Sequence, residues 1–133
     1  MVNKSKKILS EISAGELLDK ISILEIKLEK VKNKNDQGKI NIEYKMLIKA
    51  RDSNMKITEK IKQLIKDIKE VNLTLWNIED KLRVCEKNKD FGQEFVQLAR
   101  NVYFNNDKRA KIKSEINELL GSEIREIKQY VDY

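Results

Sequence analysis

The sequence has no histidine, no proline, one cysteine and four glycines, and aromatic residues make up only 6% of it. Each shortage removes a class of answer. Without histidine there is no imidazole general base, no Ser-His or Cys-His nucleophile pair and no imidazole metal ligand. The lone Cys85 excludes an intramolecular disulfide framework and any multi-cysteine metal site, and its place on an apolar stripe makes it a small buried hydrophobe. A sheet protein needs frequent turn residues, so their scarcity favours a chain made almost entirely of helix. Long apolar runs are missing too. Lys4, Lys6 and Lys7 precede a stretch broken by Ser10, Glu11 and Ser13, so neither a signal peptide nor a membrane span is expected and the chain reads as cytoplasmic.

What the chain does have is a seam. Between Gly38 and Gly92 lie 53 residues without glycine or proline, and Ile61, Leu64, Ile68, Val71, Leu75, Ile78, Leu82 and Cys85 recur there at alternating spacings of three and four. That periodicity predicts one long helix, from about Ile40 to about Glu86, with a continuous apolar stripe for pairing. An earlier helix starts at Ser13, whose S-A-G-E context reads as a capping box with Glu16, and its seam is Leu17, Ile21, Leu24, Leu28 and Val31. The polar segment Asn33 to Gly38 is expected to turn the chain between the two. After Asp90, read as an N-cap, Phe91, Phe95, Leu98 and Val102 predict a short helix. Ile112, Ile116, Leu119 and Leu120 predict a second, stopped by Gly121, and Ser122 caps a third carrying Ile124, Ile127 and Tyr130. The expected fold is all-α over residues 1–133 as a single domain, with 1–12 flexible. It is an elongated bundle with a long central helix, an N-terminal helical hairpin as its partner and short C-terminal helices on its second half.

The formal net charge of +6 raises the question of nucleic acid. The cations are 23 Lys against 5 Arg, alongside 17 Ile and 12 Asn, a composition that AT-rich coding produces without selection for phosphate contacts. No basic strand interleaved with aromatics and no recognition helix accompanies the charge, so nucleic acid is disfavoured. The same bias is a filter. Where Lys is the default cation, a retained Arg points to a need for the planar guanidinium, and Arg83, Arg100, Arg109 and Arg125 all lie in the second half with Trp76.

Carboxylate pairs at i, i+3 occur four times, at Glu16/Asp19, Asp67/Glu70, Glu115/Glu118 and Glu123/Glu126. With 22 acidic residues such pairs arise by chance, so no metal and no cofactor are assigned. One constellation stands out. Asn72, Trp76, Glu79, Arg83 and Glu86 form a polar row beside the long seam, and Asn106, Arg109, Lys113 and Asn117 form a stripe on the later helix. Arg109 should be partly buried and needs a carboxylate, because stranding such a charge costs several kcal/mol; Glu79 is the favoured partner and Asp80 the second. No residue is assigned a catalytic role. The row is either a latch that docks the C-terminal helices or a small anion or peptide site, with Trp76, Glu79, Arg83, Arg100, Asn106, Arg109 and Lys113 as the ligand-binding candidates.

At these residues the chain resembles a family of uncharacterised small helical proteins of bacteria and their phages, classified as a domain of unknown function. The resemblance is carried by ISAGELLDKISILEIK at 12–27, VNLTLWNIEDKLR at 71–83, FVQLARNVYFNNDKRAKIKSEIN at 95–117 and GSEIREIKQY at 121–130. It departs at Ile127 and Gln129, where an acidic residue and a serine would be expected. The resemblance implies no catalytic or ligand residue, and an association with genes that build cell-surface glycans. The expected role is a non-catalytic helical interaction or accessory protein. It would act as a homodimer through Ile48, Met55, Ile65 and Leu73, or with another protein. Its rivals are a ligand-binding protein or enzyme for a small anion or phosphate sugar, and a basic coiled coil on nucleic acid.

Overall fold

In the computed structural model, which describes residues 6–133, four helices follow one another: α1 (Ala14–Lys30), α2 (Lys34–Asn54), α3 (Glu59–Lys87) and α4 (Gln93–Leu120). Among the described residues there is no strand. The segment expected to be flexible, 1–12, lies partly outside the described residues. α3 is the longest helix and pairs along its length with α4, while α1 packs against all three other helices.

The apolar seams become the core. Leu17, Leu18, Ile21, Ile61, Leu64 and Ile116 form one buried cluster where α1, α3 and α4 meet, edged by Leu47, Ile48, Met55 and Ile57. A second cluster of Ile78, Cys85 and Leu98, flanked by Leu82, Phe95 and Val102, joins the far halves of α3 and α4. Each fully buried Leu or Ile contributes about 1.5–3 kcal/mol of transfer free energy. α1 is shorter than the pair it lies on, so beyond it α3 and α4 continue as a two-helix arm held by the smaller cluster.

Four boundaries differ from the sequence expectation. The long helix from Ile40 to Glu86 is broken after Asn54. Asp52, Ser53 and Asn54 compete with the helix for backbone groups, Asn54 Nδ2 donating to Ala50 O at 2.8 Å, and Thr58 caps α3 by accepting from Ile61 N–H at 3.3 Å. The break lets α2 fold onto α1 and brings Ile48, Met55 and Ile65 against the core. Asn33 caps α2 by accepting from Asp36 N–H, so Gly38 lies inside that helix and not in the turn. The two short helices expected after Asp90 are one, α4; its N-cap is Gly92, and Asp90 accepts from Gly92 N–H. Asn105 and Asn106 do not interrupt α4, although Asn105 Nδ2 likewise bonds back to Asn101 O, because Val102 and Ile112 on either side are packed into the two clusters. Gly121, at φ 63°, stops α4 as expected.

The terminal helix is absent. Ile127 and Val131 are both 91% exposed, so a helix there would have no core to bury. Residues 123–133 instead run back along α4. Arg125 pairs with Glu118, Glu126 with Lys113, and the Tyr133 hydroxyl donates to Asp107 among the rings of Tyr103 and Phe104.

Candidate functional site

The start of α1 is bound to the end of α4 through backbone groups that an isolated helix leaves unpaired. Ala14 N–H donates to Ser122 Oγ at 2.9 Å, Gly15 N–H to Asn117 Oδ1 at 2.6 Å, and Glu16 N–H to Ser13 Oγ at 3.1 Å. Ser122, expected to cap a helix of its own, caps α1. Gly15 allows the close approach, because a Cβ there would lie 2.6 Å from Lys113 O.

One turn further along α1, Asp19 is 1% exposed and collects three hydrogen bonds and a further ion pair. Arg109 donates from Nε to Oδ1 at 3.0 Å and from Nη2 to Oδ2 at 2.6 Å, a bidentate fork. Asn72 Nδ2 donates to Oδ1 at 2.8 Å and to Ser22 Oγ at 2.7 Å, and Lys113 Nζ lies 3.5 Å from Oδ2. Lys113 also donates to Glu16 at 2.8 Å and Glu126 at 3.2 Å. Burial by itself would raise the Asp19 pKa, but the bonds from Arg109 and Asn72 and the charges of Arg109 and Lys113 outweigh it and hold the carboxyl below its ordinary 3.8. The bond to Asp19 raises Arg109, against burial. Burial works against the charge on Lys113 as well, yet Glu16, Asp19 and Glu126 raise it above 10.5.

Arg109 therefore pairs with α1 and not with Glu79 or Asp80 of the long helix. Its partner was visible in the sequence only as half of the Glu16/Asp19 pair set aside as chance. The signal that could have found it is the spacing Gly15, Asp19, Ser22, Ile26, a second inward row on α1 that runs from small and polar residues to Ile26, all four of them buried. The seam alone shows only the first row.

Beside this junction a groove of about 450 Å³ opens between α1 and the arm. Ile23, Ile26 and Leu75 give it apolar walls, with Trp76, Glu79, Asp80, Arg83 and Arg109 around them. Four candidates, Trp76, Glu79, Arg83 and Arg109, thus share one surface. Arg83 meets Glu79 at 3.8 Å across one helical turn, an exposed pair worth little. Lys113 belongs to the buried junction and faces a separate depression with Glu16, Glu126 and Lys128. Asn106 lines another, with Tyr103, Asp107 and Tyr130. Arg100 joins none of these; it lies out on the arm, its guanidinium 5.5 Å from the centre of the Phe104 ring. Among the described residues no three His, Cys, Asp or Glu side chains converge as a metal site, and no helix is long and apolar enough to cross a membrane.

Four helices with a satisfied ionic junction inside and an open mixed-charge groove beside it define the class: an all-α bundle. The chain belongs to the family of unknown function DUF6165, whose model matches residues 8–132. No curated protein and no solved structure matches it.

Proposed function

We propose that this protein is a non-catalytic helical accessory protein whose working surface is the groove between α1 and the arm. The observation that supports this is the division of labour at Arg109. Two of its N–H groups hold Asp19, while its Nη1 has no hydrogen-bond partner among the described residues. No buried side-chain nitrogen or oxygen among the described residues lacks a partner, so that nitrogen reaches solvent, and Arg109 lines the groove. The ionic junction is the latch and the groove beside it is the site. A cytoplasmic setting in bacteria or their phages, beside genes for surface glycans, is part of the same reading. The test is a thermal-shift screen with sugars, phosphate sugars, nucleotides and divalent metals, repeated on Asp80→Asn and Arg83→Gln. A compound that raises the melting temperature of the parent and less that of the variants supports the groove. An equal rise in all three overturns it, as does a shift with DNA that fades with salt.

Self-association is a second reading, on a different surface from the one the sequence suggested. Ile48, Met55 and Ile65 now pack on the core, but α2 has no fully buried residue and presents Ile42 and Met46, one turn apart, to solvent. A second copy lying on that face gives a dimer, which light scattering at micromolar concentration detects. Ile42→Lys should abolish it.

A further inference from the structure

The groove's chemistry narrows its ligand. Asn72, Trp76, Asp80 and Arg83 succeed one another at spacings of four, four and three, so they share one face of α3. Arg109 enters from α4, and Ile23 and Ile26 close the α1 side. Trp76 supplies a flat apolar face with a polar tip. Asp80 has no ion-pair or hydrogen-bond partner among the described residues, and the exposed pairing of Glu79 with Arg83 yields readily. Arg109, with N–H groups that Asp19 does not use, lines the same groove as Asp80. These are planar acceptors and planar donors placed around an aromatic wall.

Charge decides among the ligands that could use them. Arg83 and Arg109 give the groove two positive charges, and Glu79 and Asp80 give it two negative ones; Asp19, held by Arg109, is itself balanced by Lys113 at 3.5 Å. A phosphate dianion would find no net positive charge in this lining, and its two carboxylates would oppose it, so the anion site suggested by the arginines is disfavoured. A neutral ligand whose paired hydroxyls donate to carboxylates and accept from guanidinium, with a C–H face for the indole, satisfies every group. The volume of about 450 Å³ is at the small end for ligand sites, which run from about 300 to 1,000 Å³, and suits one ring. We infer that the groove binds an uncharged saccharide ring, stacked on Trp76 and hydrogen-bonded by Asp80, Glu79 and the free edge of Arg109. This rests on the groove being the working surface.

Trp76 is the only tryptophan, so its fluorescence reports this site alone. Titration with glucose, galactose and N-acetylglucosamine should give a saturable change with at least one of them, free or as a methyl glycoside representing a glycan end. Glucose 1-phosphate should bind more weakly than glucose, and inorganic phosphate should be silent. Asp80→Asn, an exposed change outside the latch, should weaken the sugar about fivefold, as expected for one hydrogen bond, and Lys108→Gln on α4 should leave it unchanged. Tighter binding of glucose 1-phosphate or inorganic phosphate than of glucose overturns the saccharide and leaves the groove as an anion site. Silence of every sugar while a nucleotide or metal in the thermal-shift screen acts through Asp80 also overturns it, again with the groove intact. Silence of both experiments overturns the saccharide and the groove together.

Discussion

Arg109 closes its guanidinium on both carboxylate oxygens of Asp19, a residue 90 positions earlier in the chain, at 2.6 and 3.0 Å. That one contact ties the last helix to the first, and Asn72 on α3 completes it by donating to the same carboxylate at 2.8 Å. Three helices are thereby held in register at a point where each could otherwise slide along apolar seams that specify depth better than position.

Because Asp19 is buried, removing its partner costs more than removing the pair. Arg109→Ala should lower stability by about 3–5 kcal/mol, and Asp19→Leu combined with Arg109→Met by less. Urea denaturation measures both. In the same assay Glu79→Ala and Arg109→Ala should be additive, since these two groups are not paired; a coupling of about 1 kcal/mol or more between them contradicts the Asp19 assignment.

Gly15→Ala should destabilise although alanine favours helix. Its Cβ meets Lys113 O at 2.6 Å and Asn117 Oδ1 at 2.9 Å, and the backbone oxygen cannot step aside. Overpacking of this kind costs about 1–3 kcal/mol. Asn117→Ala, which removes the cap on Gly15 N–H, should cost about 1 kcal/mol. A shift of melting temperature upward for Gly15→Ala would show that α1 and α4 are further apart.

The junction sets a pH window. Asp19 is lowered, so its contribution is fully present above the ordinary value of 3.8 and is lost as pH falls through the lower folded value. Glu126 is lowered from 4.5, Lys113 outweighing the opposing effect of burial, and acts in the same direction. Lys113 is raised, so its contribution is present below 10.5 and is lost as pH rises through the higher folded value. Stability should therefore be level from mildly acidic to mildly alkaline pH and fall on both sides. With Asp19→Asn the acid limb should flatten, which denaturation midpoints across pH will show.

Deleting residues 123–133 should cost little. The segment is held by Arg125 on Glu118, Glu126 on Lys113 and Tyr133 on Asp107, each a pair with at least one well-exposed member, and surface pairs contribute about 0–1 kcal/mol each. Ser122→Ala should cost about as much as a missing helix cap, near 1 kcal/mol, because it uncaps Ala14. Circular dichroism melts of the two variants give the comparison.

Helical class, the start of α1, the end of α4 and the stripes that face inward all follow from the order of residues. Those properties are local: capping by Ser13, the left-handed stop at Gly121 and the spacing of Ile61 to Cys85 are each set within a turn or two of helix. Sequence also places Trp76, Glu79 and Arg83 together, because one face of one helix is a local property, and it identifies Arg109 as a partly buried cation in need of a carboxylate. The remainder depends on how the helices pack. The break at Met55–Thr58 is worthwhile only because α2 then packs on α1, and α4 passes through Asn105 and Asn106 only because α3 lies along it. Asp19 becomes the partner of Arg109 because α1 lies between α2 and the α3/α4 pair, which buries a second row whose helical spacing is legible but whose small and polar members do not by themselves mark it as inward. A seam specifies which face of a helix leaves water; which helix covers that face, and how far along, is settled only when all four compete for the same apolar surface.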